Sequence, residues 1–116
     1  MSKVYGMHMI ALHPGVKAED FEKFVMEEVY PVSNFEGWKY HLLKGDRGER
    51  EGNYLGMFEF ESVELRDRLF PSRGEMSEEI QQFFAAQAGV FEKWATFATP
   101  MDATSTDSTD YVVVGK

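Results

Sequence analysis

Apolar and polar positions change period along the chain, and their order predicts a fold of the α+β class with the element order β-α-β-β-α-β. The predicted elements are a strand at Val4–Leu12, a helix at Lys17–Tyr30, strands at Trp38–Lys44 and Tyr54–Glu61, a short helix after Ser62, a longer helix at Glu78–Ala95 and a strand at Tyr111–Val114. The two central strands flank a charged tip at Gly45–Asn53, which predicts a hairpin. All 116 residues are assigned to one domain, with a polar crossing loop at residues 99–110.

Local signals set the helix ends. Pro31 ends the first helix, because the residue before a proline avoids the helical region. Ser62 and Ser77 are suitable N-caps for the two later helices. From Glu78 onward, apolar residues at helical spacing predict one uninterrupted amphipathic helix to Ala95.

The first strand is apolar on both of its faces, which predicts that both faces are covered. Aromatic residues make up 15% of the chain, more large apolar surface than a small monomer easily hides. A homodimer is therefore expected, with one sheet face against its copy. A charge on that face, by Met9→Lys or Ile10→Lys, is expected to give monomer or aggregate; the alternation alone leaves open which of the two residues lies there.

Charge and composition exclude several classes of partner. The net charge of -8 and a pI near 4.8 disfavour nucleic acid and anionic membranes, which need clustered cations. No apolar run is long enough for a transmembrane helix and no signal pattern is present, so a cytoplasmic location is the default expectation. The chain has no cysteine, which excludes disulfides and thiolate ligands.

Three segments carry a family resemblance: His13–Val16 at the end of the first strand, the acidic helix start Glu19–Phe21, and the hairpin from Trp38 to Phe60. Together they resemble the dimeric α+β barrel superfamily, which includes antibiotic-biosynthesis-type monooxygenases and stress-responsive barrel proteins. The resemblance extends from Lys3 to Ala95. It implies a ferredoxin-like antiparallel sheet with helices on one face, the other face closing a barrel with a second subunit.

Two histidines are candidate catalytic bases. His8 lies in the first strand, either as a polar group in a ligand cavity or as a satisfied core histidine. His41 lies on an outer strand, where it either acts as a general base or faces water. The histidines lack the spacing of a metal site, so no metal is expected. Haem-using relatives in the superfamily ligate iron through a later histidine; the chain has none after His41, and no cofactor is expected.

The candidate substrate-binding residues are large apolar side chains and one amide, namely Trp38, Tyr54, Phe84, Gln87 and Trp94. Gln87 falls within the apolar stripe of the last helix, where its amide meets either a ligand or the edge of the stripe.

Two functions follow from the resemblance and the residues. The first is a cofactor-independent monooxygenase or isomerase-like enzyme, in which His41 or His8 deprotonates a small aromatic or polyketide-like substrate. The second is a non-enzymatic dimer that binds a small apolar or aromatic ligand or contributes stability under stress. A cavity that holds a histidine favours the enzyme, and a cavity filled by Phe and Met side chains favours the second function.

Overall fold

The sheet has four antiparallel strands in the order β2-β3-β1-β4. It belongs to a computed structural model that describes residues 2–33, 35–99 and 108–115. The strands are β1 (Val4–Ile10), β2 (Trp38–Lys44), β3 (Tyr54–Phe60) and β4 (Ser108–Val112). The predicted α+β class is confirmed. β4 begins earlier than the predicted strand at Tyr111, and most of the predicted crossing loop, residues 100–107, lies outside the described residues.

Helices follow β1 and β3 along the chain. They are α1 (Ala18–Phe24), α2 (Val63–Leu69), α3 (Glu78–Ala85) and α4 (Ala88–Phe97). The side chain of Ser62 accepts a hydrogen bond from the backbone N–H of Leu65 at 3.1 Å, and the side chain of Ser77 accepts one from Ile80 at 3.2 Å. Both predicted N-caps are therefore confirmed.

The first helix departs from the regular α-helix predicted at Lys17–Tyr30. α1 continues as a π-helical segment at Val25–Val29 and a 3₁₀ turn at Tyr30–Val32. The hydroxyl of Ser33 donates to the carbonyl of Val29 at 2.5 Å, which satisfies one of the acceptors at the helix end. The Tyr30 hydroxyl accepts from the Leu42 N–H at 2.9 Å and ties this segment to the outer strand β2.

The last helix is not continuous, so the prediction of a single helix over Glu78–Ala95 was wrong. It breaks between α3 and α4 at Ala86–Gln87, where Gln87 has φ −106° and ψ 18°. The Gln87 N–H bonds to the Phe84 carbonyl at 2.9 Å, which is the tighter spacing of a turn. No proline lies at this point, and the nearest glycine, Gly89, is the second residue of α4; the apolar stripe itself runs through the break.

The break lets α3 and α4 cover different parts of the sheet. One core cluster combines α1 and α4 with the sheet; its buried members are Ile10, Phe21, Phe24, Val25, Val29, Tyr40, Tyr54, Trp94 and Ala98. A second cluster combines α2 and α3 with the sheet; its buried members are Val4, Trp38, Phe60, Leu69 and Ile80. Phe58 packs against both clusters and lies at their junction.

All four helices pack on one side of the sheet, here called the helix-covered face, to which the even-numbered residues of β1, β2 and β3 belong. The odd-numbered residues form the open face, which includes Tyr5, Met7, Met9, Lys39, His41, Leu43, Leu55, Met57 and Glu59. Ile10 is 9% exposed and faces the helices, whereas Met9 is 45% exposed on the open face. No described helix has the length and apolar character that crossing a bilayer requires.

Candidate functional site

A cleft opens between the sheet and the helices along the seam of the two core clusters. Its lining residues come from the end of the first helical segment, from β2 and β3, and from both sides of the α3–α4 break: Val29, Val32, Ser33, Trp38, Tyr40, Phe58, Phe83, Phe84, Gln87, Val90, Phe91 and Trp94. The cleft is narrow, with a cavity volume of about 40 Å³. An aromatic ring can therefore occupy it only when lining side chains shift.

The walls of the cleft are mostly aromatic rings in contact with one another. The ring centre of Trp38 lies 5.6 Å from that of Phe83 and 5.7 Å from that of Phe84. Across the helix break, Phe84 and Phe91 meet edge to face at 5.4 Å. These three phenylalanines are only half-buried. Because none of the described lining residues is charged, the cleft suits an uncharged apolar molecule.

Polar groups at the cleft are few, and two of them have no hydrogen-bond partner among the residues that the structure describes. Trp38 is only 3% exposed, and its buried indole N–H makes no hydrogen bond to these residues. The Gln87 side chain does not cap α4, and its amide makes no hydrogen bond to any part of the chain that the structure describes. By contrast, Trp94 donates its indole N–H to the carbonyl of Thr99 at 3.2 Å.

His8 lies on the helix-covered face behind two lining residues, without lining the cleft itself. Its ring stacks against those of Tyr40 and Phe58, with centres 6.0 and 5.7 Å apart, and its Nε2 is 3.5 Å from the Tyr40 hydroxyl. Burial lowers the pKa of His8 to about 4 and raises the pKa of Tyr40 above its usual value. Both groups are therefore uncharged near neutral pH.

The absence of a side chain at Gly56 leaves the space that the His8 imidazole occupies. A Cβ atom on Gly56 would lie 2.0 Å from Nε2 of His8 and 2.6 Å from the Tyr40 hydroxyl oxygen. Any side chain at this point of β3 would displace the imidazole. The buried histidine and the glycine opposite it thus form one packing unit on the helix-covered face.

His41 lies on the open face, away from the cleft. Its Nε2 is 3.4 Å from Oε1 of Glu59, and the Lys3 ammonium binds Oε2 of the same carboxylate at 3.1 Å. This hydrogen bond from Lys3 holds the pKa of Glu59 below its usual value. Because strand alternation places His8 and His41 on opposite faces, the two histidines cannot serve one site.

The structure brings together four of the five candidate substrate-binding residues: Trp38, Phe84, Gln87 and Trp94 line the same cleft. Tyr54 lies apart, at the start of β3, where its hydroxyl donates to the Glu22 carboxylate, which Lys44 also binds at 3.0 Å. Burial raises the pKa of Tyr54. Its side chain therefore serves the packing of α1 on the sheet.

Several lining residues were not predicted, and two of them had a sequence signal. Tyr40 shares the alternation face of Trp38, and Phe91 belongs to the aromatic stripe that Phe84 and Trp94 define. Phe58 and Val29 carried no such signal, because their place at the seam depends on how the two core clusters meet.

The fold defines the chain as an α+β protein with a four-stranded antiparallel sheet. No model of a known protein family matches the chain, no curated protein matches it, and no solved structure matches it. The described residues contain no group of three or more His, Asp and Glu side chains placed to hold a metal ion. The resemblance to the dimeric α+β barrel superfamily stays a prediction.

Proposed function

We propose that the chain is a homodimeric, ferredoxin-like small-ligand-binding protein and that the aromatic cleft receives an uncharged, flat apolar molecule. The observation that carries this proposal is the composition of the cleft. Half-buried aromatic rings meet there without a charged neighbour among the described lining residues. Small-molecule sites have this combination of apolar walls and a few polar groups.

The strand order supports the finer fold assignment. Antiparallel neighbours in the order β2-β3-β1-β4, with helices after β1 and β3, are the arrangement expected of a ferredoxin-like sheet. The open face supports the dimer, because six apolar side chains share it without cover from any helix that the structure describes: Tyr5, Met7, Met9, Leu43, Leu55 and Met57. A second copy can bury them.

The arrangement favours binding over the monooxygenase chemistry that is the other hypothesis. A general base must reach the proton that it removes. Neither His8 nor His41 lines the cleft, and burial lowers the pKa of His8 to about 4, which makes it a weak base at neutral pH. The cleft offers aromatic surface and hydrogen-bond donors in place of an acid–base pair.

Ligand binding can be tested with indane, a flat hydrocarbon, and with benzoate, a charged ring compound of smaller size. We expect indane to shift the amide NMR signals of the cleft residues, and benzoate to leave them in place because the cleft has no cation for its carboxylate. Sedimentation of the same sample tests the dimer separately. Absence of shifts with indane contradicts the binding proposal, and a monomer mass contradicts the dimer.

A pair of variants locates the binding site. Val90→Phe adds a ring at a half-buried residue that lines the cleft, so we expect indane to bind at least about tenfold more weakly. Val114→Phe adds the same ring to a residue that is 93% exposed and does not line the cleft, and serves as the matched control. Equal affinities of the two variants would place the indane elsewhere on the protein.

A further inference from the structure

Both tryptophans of the chain line the cleft, but their indole N–H groups differ. Trp94 is satisfied within the protein, because Thr99 accepts its N–H at 3.2 Å. Trp38 is 3% exposed, and its Nε1 is buried without a hydrogen-bond partner in the described part of the chain. Native proteins pair nearly all buried donors, so an unpaired one needs an explanation.

The aromatic neighbours of Trp38 offer its N–H no acceptor of ordinary strength. Six phenylalanine rings surround its indole with centres between 5.2 and 6.3 Å away, namely Phe35, Phe58, Phe60, Phe70, Phe83 and Phe84. A phenylalanine ring offers at most a weak contact to an N–H group. Since none of the described residues pairs with this N–H, a molecule that enters the cleft with an acceptor oxygen can pair it.

A second polar group at the cleft can also donate a hydrogen bond to a ligand. The Gln87 amide, at the α3–α4 break, has no hydrogen bond within the described part of the chain. The Ser33 hydroxyl has no proton to donate to a ligand, because it already donates to the Val29 carbonyl. An indole N–H and a carboxamide can both donate to one oxygen atom of a ligand.

We infer that the Trp38 N–H is the specificity-determining group of the cleft and that the ligand is an uncharged ring compound with a carbonyl or similar acceptor oxygen. The inference rests on the proposed binding function and narrows its ligand class. A hydrocarbon leaves the Trp38 donor unpaired in the complex, whereas a ketone of the same shape pairs it. The ketone should bind about tenfold more tightly than the hydrocarbon.

Indane and 1-indanone form a matched pair for the test, since they share the same fused rings and differ in one carbonyl. We expect 1-indanone to bind wild-type protein about tenfold more tightly and to move the Trp38 indole N–H resonance downfield. Indane should move it only slightly, and the Trp94 indole resonance should respond alike to both compounds. Trp38→Phe should remove the preference, while Trp94→Phe weakens both compounds and keeps their ratio.

Each outcome separates this inference from the function on which it rests. Equal binding of indane and 1-indanone, with no downfield shift at Trp38, overturns the inference and leaves the binding function in place. Failure of both compounds to bind overturns both. The resonance shift is measured on wild-type protein, so the result stands even where Trp38→Phe fails to fold.

Discussion

The two faces of the sheet are made from the same strands but are completed differently. On the helix-covered face, β1 contributes Val4, His8 and Ile10, all of which are buried beneath the helices. On the open face, the same strand contributes Tyr5, Met7 and Met9, which none of the four described helices covers. Alternation in a strand assigns each side chain to a face, but only packing decides whether that face is covered.

An apolar face of a strand can therefore serve two purposes. The helix-covered face gains its stability within one chain, through two core clusters that meet at Phe58. The open face mixes apolar side chains with the ion pair of Lys3 and Glu59. We therefore expect substitutions on the helix-covered face to affect folding and, if the proposed dimer forms through the open face, substitutions there to affect assembly.

Adjacent residues of β1 give the largest expected contrast. Ile10→Lys removes a side chain of the core and buries an ammonium group, so we expect a loss of at least about 4 kcal/mol in the free energy of unfolding. Met9→Lys should cost the single chain less than about 1 kcal/mol, because Met9 is on the open face. Urea denaturation at low protein concentration measures both values.

Sedimentation completes this comparison. If the open face binds a second copy, Met9→Lys should convert a dimeric wild type into a folded monomer. A folded dimer of the Met9→Lys variant would contradict the assignment of the open face to the interface. A stable, folded Ile10→Lys variant would contradict the helix-covered face as described.

Much of the fold could be predicted from the sequence because its signals are local. The caps at Ser62 and Ser77 and the bounds of β2 follow from side chains that act on their own backbone or on one face. The break at Gln87 and the π-helical segment at Val25–Val29 could not be predicted, since neither carries glycine or proline. Both depend on packing across the sheet.

Acidification tests the burial of His8 on the helix-covered face. We expect its effect on the free energy of unfolding to be smaller than that of Ile10→Lys. Burial lowers the pKa of His8 from 6.5 to about 4, so the unfolded chain binds a proton at a higher pH than the folded protein does. The contribution of the neutral, buried His8 to the free energy of unfolding is fully present above pH 6.5, decreases as the pH falls towards 4 and then levels off. The loss over this range is roughly 2 to 4 kcal/mol.

The control is His8→Gln, which keeps a polar side chain at the position and removes the titration. Urea denaturation of both proteins between pH 7 and pH 4 compares them, and the contributions of carboxylates cancel in the difference. The gap between the two proteins should change steadily as the pH falls. A gap that stays constant with pH would mean that the imidazole is not buried as described.

The candidate site was predictable in part. Trp38, Phe84, Gln87 and Trp94 were found because large aromatic residues and a lone amide stand out on an apolar stripe. The unpaired state of the Trp38 N–H could not be found in this way. A sequence lists donors and acceptors, but only the packed structure shows which of them fail to meet.

The smallest expected effect on the helix-covered face concerns the start of α2. Ser62→Ala removes the acceptor that satisfies the Leu65 N–H at 3.1 Å and should lower the free energy of unfolding by about 1 kcal/mol. Loss of this cap also affects the core, because α2 carries Leu69, which is fully buried in the second cluster. Ser72→Ala, in the exposed turn after α2, is the matched control and should change the same quantity by less than about 0.5 kcal/mol. Equal losses in the two variants would show that the Ser62 hydroxyl does not hold α2 on the sheet.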